Sequence, residues 1–209
     1  MKIIVFGASG GTGKEILKQA LAAGYTVTAF VRNPAKIEMI HPNLSIFQGD
    51  AQNADEVEKA ISGHEAVISA LGPTRPPAPG MMANAAENIV AGMKKHKIPR
   101  LISTTGAGVR DPQDQPKLID HLMKGLLTLL ASEVLRDSAA NVSIIQKSDL
   151  DWTVVRFPRL IDGQQAGKYR VGYVGKNSGS QLSRADGADF VLKELREKKY
   201  LHKMPVVSY

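Results

Sequence analysis

Short apolar segments alternate with longer amphipathic segments from the first residues of the chain. The segment Lys2–Phe6 is a short apolar run, which is typical of a strand buried on both faces of a sheet. The segment Thr12–Ala23 carries apolar residues at helical spacing, and Gly24 follows it as a left-handed cap. The chain therefore begins with a predicted strand, a glycine-rich turn and a helix.

The same alternation predicts strands and helices along the rest of the chain. Further strands are predicted at Thr26–Val31, Leu44–Gln48, Ala66–Ala70, Leu101–Thr104, Trp152–Phe157 and Met204–Val207. Helices are predicted at Ala54–Ile61, Met81–His96, Lys117–Ser138, Val142–Lys147 and Arg184–Lys198, with a short helix opened by Pro34 and Ser183 as the last N-cap. Strands that alternate with such helices indicate an α/β Rossmann fold, with a doubly wound, mostly parallel sheet covered by helices on both faces.

The length of the chain predicts how this fold is organised. A chain of 209 residues is expected to form one domain, 1–209. Residues 156–209 are expected to form a small C-terminal portion on the substrate side. Two segments, Gly72–Gly80 and Val109–Pro116, break the alternation directly after predicted strands. Because open α/β sheets bind ligands beyond the carboxyl ends of their strands, both segments are candidate ligand-site loops.

The strongest motif is the segment Gly7-Ala8-Ser9-Gly10-Gly11-Thr12-Gly13, which lies between the first strand and the first helix. Glycine permits the sharp turn, allows a pyrophosphate to approach the free N–H groups of the helix, and lets helix and strand pack closely. An ordinary strand–helix turn is the alternative. The spacing, Gly-x-x-Gly-x-x-Gly, differs from the Gly-x-Gly-x-x-Gly fingerprint of many dehydrogenases. We expect a dinucleotide site here.

The end of the second strand bears on the choice between NAD and NADP. An NAD site usually places an acidic residue there, whereas the segment Thr28–Asn33 contains none. Its Arg32 can pair with a 2′-phosphate or stack on adenine, which favours NADP over NAD. The alternative is that Arg32 is an ordinary surface residue.

Two further strand ends supply candidate cofactor contacts. Asp50, with the Ala51 backbone beside it, is either a partner for the adenine edge or an acid preceding the next helix. Ala70, Leu71 and Gly72 end the fourth strand and are expected to run beneath the ribose of the cofactor.

Together these segments resemble the atypical short-chain dehydrogenases, over nearly the whole chain. The groups that the chain is most similar to are the NAD(P)H-binding NmrA-like proteins and the biliverdin reductase B, or flavin reductase, type. The segments that carry the resemblance are Gly7–Gly13, Val31–Pro34, Gly49–Asp50, Val67–Gly72, Ile102–Gly106 and Ser148–Pro158.

The resemblance implies that the nicotinamide ends near the fourth, fifth and sixth strands. It places Thr104 in the cofactor site and makes Thr105 the hydroxyl residue beside the nicotinamide. Phe157 and Pro158 match the turn that closes over the nicotinamide ring. For Thr105 the alternative is a strand-end hydroxyl that bonds the backbone.

The chain departs from the catalytic short-chain dehydrogenases at one point. Those enzymes use a Tyr-x-x-x-Lys pair for proton transfer, whereas no tyrosine here has a lysine four residues on. By alignment, Leu135 and Ala139 fall near the positions of that pair. The departure argues against an alcohol dehydrogenase or sugar epimerase of that mechanism.

Three hypotheses about function remain. The first is an NADPH-dependent reductase of a planar acceptor, such as a flavin or quinone, which accepts hydride without a protein acid. The two loops, with Met81, Met82 and Met123, are candidates for the floor of an apolar pocket for this acceptor; the alternative is that the methionines are ordinary core or loop residues. The second is a non-catalytic NADP(H) sensor that changes its affinity for a protein partner. The third is a dehydratase or isomerase with tightly held cofactor.

Composition excludes several other classes of function. The chain has no cysteine, and its five histidines are scattered, so we expect no metal site and expect exposed or loop histidines. The net charge is +7, mostly from residues 156–209, but no nucleic-acid motif accompanies it. No membrane-spanning run is present, and the strand from Lys2 leaves no room for a signal peptide, so a cytoplasmic location is expected. The leucine-rich stretch Leu126–Leu130 suits either the core or a dimer face, so monomer and homodimer both remain open.

Overall fold

The computed structural model describes residues 1–74, 76–116 and 133–209, and most of its strands form one sheet. The eight strands of this sheet lie in the order β3-β2-β1-β4-β5-β6-β10-β8. All neighbours are parallel except β8, which runs antiparallel to β10 at the edge. A separate parallel pair is formed by β7 and β9. The strands are β1 Lys2–Phe6, β2 Thr26–Val31, β3 Leu44–Gln48, β4 Ala66–Ser69, β5 Arg100–Gly106, β6 Asp151–Phe157, β7 Arg159–Ile161, β8 Arg170–Gly172, β9 Gln181–Ser183 and β10 Val206–Ser208.

Helices cover both faces of the sheet, as a parallel sheet requires. One hydrophobic core lies between the sheet and α1 with α5, and a second lies between the sheet and α2, α3 and α4. The helices are α1 Gly11–Ala22, α2 Ala54–Ile61, α3 Met81–Lys95, α4 at residues 133–146 and α5 Arg184–Glu197, with a 3₁₀ turn at Pro34–Lys36. The prediction of a doubly wound, mostly parallel α/β Rossmann fold is confirmed.

Local sequence features set the ends of these helices. Gly24 follows α1 with a φ of +79°, the left-handed conformation that glycine adopts without strain. Ser183 caps α5, because its hydroxyl accepts the N–H of Asp186 over 3.0 Å. Both ends agree with the prediction from sequence.

Some parts of the chain differ from the prediction, and one predicted segment is not described. The break predicted between residues 138 and 142 is wrong, because residues 133–146 form one continuous helix. The prediction missed β7, β8 and β9, each of three residues, and β10 begins two residues later than predicted. Residues 117–132, which include Met123 and the leucine-rich stretch Leu126–Leu130, lie outside the described residues.

His64 lies in the loop between α2 and β4, in agreement with the expected exposed or loop histidines, but it is not exposed. Its side chain is buried, with Nε2 2.8 Å from the hydroxyl of Thr28 and Nδ1 3.1 Å from the carbonyl oxygen of Ile61. Burial is the main cause that lowers the pKa of His64, which keeps the ring neutral at pH 7. His64 is therefore a residue of the core.

The order in which strands are added to the sheet reverses at β1, and this reversal positions the ligand site. β1 pairs with β2 on one side and with β4 on the other, so the connections leaving β1 and β3 run to opposite sides of the sheet. Ligands bind open α/β sheets at such a switch point, beyond the carboxyl ends of the strands.

Among the described residues, no helix is both long enough and apolar enough to cross a membrane.

Candidate functional site

The turn between β1 and α1 leaves no space for a side chain at two of its glycines. Gly7 has a φ of +74°, which residues with a Cβ rarely adopt. A Cβ built on Gly7 would lie 2.5 Å from the carbonyl oxygen of Ala70, at the end of β4. A Cβ built on Gly13 would lie 2.2 Å from the carbonyl oxygen of Gly7. Glycine at both positions therefore lets the turn close against α1 and the end of β4.

The first turn of α1 presents backbone N–H groups that the helix itself does not use. The N–H of Lys14 donates to the carbonyl oxygen of Gly10 over 2.9 Å. The N–H groups of Gly11, Thr12 and Gly13 lie before that bond, at the free end of the helix. Gly10 has no side chain to cap them, and the first turn of this fully described helix contains no acidic residue.

These features fit the pyrophosphate of a dinucleotide. Free N–H groups and the positive end of the helix dipole attract a phosphate, and the exposed Gly10 lets it come close. Ser9 is half-buried beside them and supplies a hydroxyl at the same turn. The turn thus has both the space and the donors that the cofactor requires.

Arg32 lies directly after β2, at the same edge of the sheet, with an exposed side chain. Its carbonyl oxygen accepts a hydrogen bond from Nε2 of Gln48 over 3.4 Å. The next residue, Asn33, caps the 3₁₀ turn by accepting the N–H of Ala35 over 3.0 Å. The backbone that carries Arg32 is thus held on both sides, while its guanidinium stays accessible to a ligand.

Asp50 forms part of the loop between β3 and α2. Its Oδ1 accepts the N–H of Gln52 over 3.0 Å, and Asn53, rather than Asp50, is the N-cap of α2. The buried Ala51 is held by its carbonyl oxygen, which accepts from Nδ2 of Asn88 in α3 over 3.0 Å. One carboxylate oxygen of Asp50 is therefore already engaged in a hydrogen bond within its own loop.

The end of β4 borders the glycine-rich turn directly. The N–H of Ala70 donates to the carbonyl oxygen of Phe6 over 2.9 Å, which continues the pairing of β4 with β1. Ala70 and Leu71 are half-buried, and Gly72 is exposed. These three residues line the switch point.

The segment Gly72–Gly80, here called the proline-rich loop, follows β4, and a buried carboxylate binds the start of α3 directly after it. The two oxygens of Asp137, in α4, accept the N–H groups of Met82 and Ala83, each over 3.0 Å. α3 is thereby capped by a side chain from another helix, since its own N-cap is Gly80. Met81 and Met82 are both buried, so the structure supports their interpretation as core residues.

The ends of β5 and β6 supply the remaining predicted site residues. Thr104 is buried and Thr105 half-buried, and strand alternation turns them to opposite faces of the sheet. Thr105 lies on the same face as Leu101, which packs with α3 and α4. The ring of Phe157 is buried in the core next to α5, where a Cβ on Gly187 would lie 3.2 Å from it. The backbone of Phe157 and the half-buried Pro158 lie at the carboxyl end of β6.

The catalytic short-chain dehydrogenases that the sequence resembles carry a tyrosine and a lysine at positions where this chain has Leu135 and Ala139. Leu135 approaches the loop after β5, since a Cβ on Gly108 would lie 3.2 Å from its Cδ2. Ala139 is exposed. Neither side chain can donate a proton.

A tyrosine and a lysine do meet elsewhere, but they are not suited to proton transfer. Nζ of Lys193 lies 3.4 Å from the hydroxyl of Tyr169. Both groups, however, bind the same carboxylate oxygen of Asp189, each over 2.7 Å. Burial and the hydrogen bond to Asp189 raise the pKa of Tyr169 far above its ordinary value, the opposite of what a catalytic tyrosine needs.

Arg156 holds the second candidate loop in place. It is fully buried in β6, and its guanidinium donates to both carboxylate oxygens of Asp114, over 2.7 and 2.8 Å. It also donates to the carbonyl oxygens of Val109 and Met204. Near this pair, a cleft of about 400 Å³ is lined by Gln113, Gln115, Val171, Gly172, Tyr173, Lys176 and Asn177. Arg156 thereby links the loop at 109–116 to β6 and to the segment that precedes β10.

Sequence analysis did not identify the roles of Arg156, Asp114 or Asp137. For Arg156 an indication was present, because a charged residue within the apolar run Trp152–Phe157 has to be paired once the strand is buried. For Asp114 and Asp137 no local pattern shows these roles, since Arg156 lies 42 residues from Asp114 and Met82 lies 55 residues from Asp137. Among the described residues, no group of three or more His, Asp or Glu side chains is arranged to hold a metal ion.

Comparison with known proteins agrees with this geometry. A family model described as NAD(P)H-binding matches residues 7–198. The protein YwnB of Bacillus subtilis is 30% identical, over 96% of this chain and 94% of its own length.

Solved structures share the fold over the whole chain. A short-chain dehydrogenase/reductase from Veillonella parvula, crystallised with NADP, has a TM-score of 0.81 at 19% identity and covers 100% of this chain and 94% of its own. ChuY of Escherichia coli O157:H7, described as an anaerobilin reductase, has a TM-score of 0.78 at 22% identity and covers 100% and 97%. At these identities the two structures bear on the fold alone.

We predict that Asp114→Asn destabilises the protein strongly. Burial alone would raise the pKa of Asp114, but its hydrogen bonds to Arg156 and to the N–H groups of Asp111 and Val174 outweigh burial and lower the pKa. Without the carboxylate charge, a fully buried guanidinium has no counter-ion, which costs about 3 kcal/mol or more in the free energy of unfolding. Urea denaturation measures this difference.

Asp149→Asn is the matched control for this experiment. It also removes one carboxylate from an ion pair, with Lys94 at 2.7 Å, but that pair is exposed. We expect its unfolding midpoint to stay close to that of the parent protein. Equal midpoints for the two variants would contradict the role given to Asp114.

Proposed function

Because the chain belongs to the NAD(P)H-binding family, we propose that it is an NADPH-dependent reductase that transfers a hydride to a planar acceptor such as a flavin or quinone. One observation carries the proposal. The glycine-rich turn has the space and donors for a dinucleotide, whereas the positions aligned with the proton-transfer pair hold Leu135 and Ala139. Such a site suits an acceptor that needs no proton from the protein.

The cofactor contacts follow the carboxyl edge of the sheet. We assign the pyrophosphate to the N-terminus of α1 and the 2′-phosphate to Arg32, which makes NADP the preferred cofactor. Asp50 and Ala51 border the adenine, and Ala70, Leu71 and Gly72 the ribose. The nicotinamide end is assigned to Thr104, Thr105, Phe157 and Pro158.

The protein contributes position rather than acid–base chemistry. When bound, NADPH supplies the hydride. The hydroxyl of Thr105, half-buried on the α3–α4 face, orients the reacting ring. The proline-rich loop and the loop at 109–116, fixed by Asp137 and Asp114, form the two sides of the acceptor site. We also propose that residues 156–209 supply the substrate side of the fold.

A non-catalytic NADP(H) sensor is the second candidate. The same observation favours it, because a protein that only binds the cofactor has no need of a proton-transfer pair. In this case the cofactor would change the affinity for a protein partner. The two functions differ in turnover, so a direct assay separates them.

We predict that the purified protein oxidises NADPH when FMN, a benzoquinone or a tetrapyrrole is offered, faster than a protein-free control. The tetrapyrrole is included because ChuY is described as an anaerobilin reductase. Absorbance at the nicotinamide band follows the reaction.

Thr105→Val is expected to lower kcat with little change in the Kd of NADPH, since the hydroxyl acts on the ring and not on the phosphates. NADPH binding without oxidation of the cofactor by any acceptor would overturn the reductase and favour the sensor.

We predict that Arg32→Ala raises the Kd of NADPH about tenfold or more, as the loss of a charge-assisted phosphate contact does. The Kd of NADH is expected to stay within about twofold, because NADH has no 2′-phosphate. Nicotinamide fluorescence measures both values. Lys59→Gln, in the last turn of α2, is the control for loss of one exposed positive charge. Unchanged affinity for NADPH in Arg32→Ala would refute the preference for NADP.

A further inference from the structure

A second arginine lies directly over the glycine-rich turn, at the N-terminus of another helix. α1 and α5 pack side by side on one face of the sheet, and their first residues are Gly11 and Arg184. A Cβ built on Gly11 would lie 2.6 Å from Nε and 2.8 Å from Cδ of Arg184. The absence of a side chain at Gly11 therefore leaves the space that the arginine occupies.

The position of Arg184 is unfavourable for a cation unless an anion is near. N-termini of helices carry partial positive charge, and Arg184 is the first residue of α5 while it contacts the first residue of α1. Two helix dipoles thus oppose its charge, and the acid in the first turn of α5, Asp186, is already hydrogen-bonded to Ala166, Gly167 and Tyr209. A phosphate at the turn would reverse this effect, because it is attracted by both helix ends and by the guanidinium.

The present partner of the guanidinium is weakly held. NH1 of Arg184 donates to Oδ1 of Asp162 over 2.7 Å, but the Asp162 side chain is 96% exposed and that of Arg184 is 30% exposed. Such exposed ion pairs contribute little, since water competes for both charges. Asp162 can therefore be exchanged for a stronger anion at small cost.

We propose that Arg184 binds the cofactor pyrophosphate and that Asp162 holds its guanidinium ready when no cofactor is bound. The inference rests on the proposed dinucleotide site and adds a residue to it from the other end of the chain. The proposal also gives the two arginines, Arg32 and Arg184, different roles in cofactor binding. Arg32 distinguishes NADPH from NADH, whereas Arg184 acts on the pyrophosphate that both cofactors share.

The test is a titration of Arg184→Gln with NADPH and with NADH, followed by nicotinamide fluorescence. We expect the Kd of both cofactors to rise by the same factor, about tenfold, because a charge-assisted hydrogen bond to the shared group is lost. The thermal midpoint without cofactor is expected to stay the same or rise, since a cation is removed from two helix N-termini. Arg196→Gln, in the last turn of the same helix, is the matched control and should change neither Kd.

A second variant tests the exchange. Asp162→Asn removes the competing anion and is expected to tighten the binding of both cofactors, by up to about fivefold. Unchanged Kd values in Arg184→Gln, a rise for NADPH alone, or a lower thermal midpoint would each overturn the assignment. Weaker binding in Asp162→Asn would also contradict it. If the parent protein binds neither cofactor, the proposed function itself fails, and that outcome is visible before any variant is measured.

Discussion

The closeness of three backbone segments at the switch point determines where a ligand can bind. The turn after β1 passes so near to the end of β4 that a side chain at Gly7 would overlap the Ala70 carbonyl group, and Gly13 is enclosed in the same way by Gly7. This packing brings the N-terminus of α1 to the carboxyl edge of the sheet with its N–H groups open. The other proposed contacts lie along the same edge because all central strands of the sheet run parallel.

Charge at this edge is arranged for an anionic ligand. The first turn of α1 contains no acid, Arg32 is exposed beside it, and Arg184 covers it from α5. The nearby carboxylates have other partners: Asp50 bonds its own loop, and Asp137 caps α3. Apart from the exposed Asp162, which pairs with Arg184, this arrangement places positive groups where the pyrophosphate is proposed to bind and uses these carboxylates to hold the neighbouring loops.

The sequence predicted the parts of the structure that depend on local patterns. The bounds of β1, β2, β3 and α2 agree with the prediction, since each shows an apolar run or period with a glycine, proline or capping residue close to it. The strands β7, β8 and β9 were missed because three residues are too few to show a period. The role of Arg156 depends on Asp114, and the contact of Arg184 with Gly11 depends on the packing of α5 against α1. Neither contact can be inferred from spacing along the chain, so sequence alone could propose only those site residues that lie in local motifs.

The claim that the N-terminus of α1 holds the pyrophosphate can be tested directly by following backbone amides. In a ¹H–¹⁵N NMR titration with NADP⁺, the amide resonances of Gly11, Thr12 and Gly13 are expected to shift and saturate together. The amide of Gly63, in the turn after α2 at the opposite edge of the sheet, is expected to stay in place. Unchanged resonances for Gly11, Thr12 and Gly13 at NADP⁺ concentrations that move other amides to saturation would contradict the account.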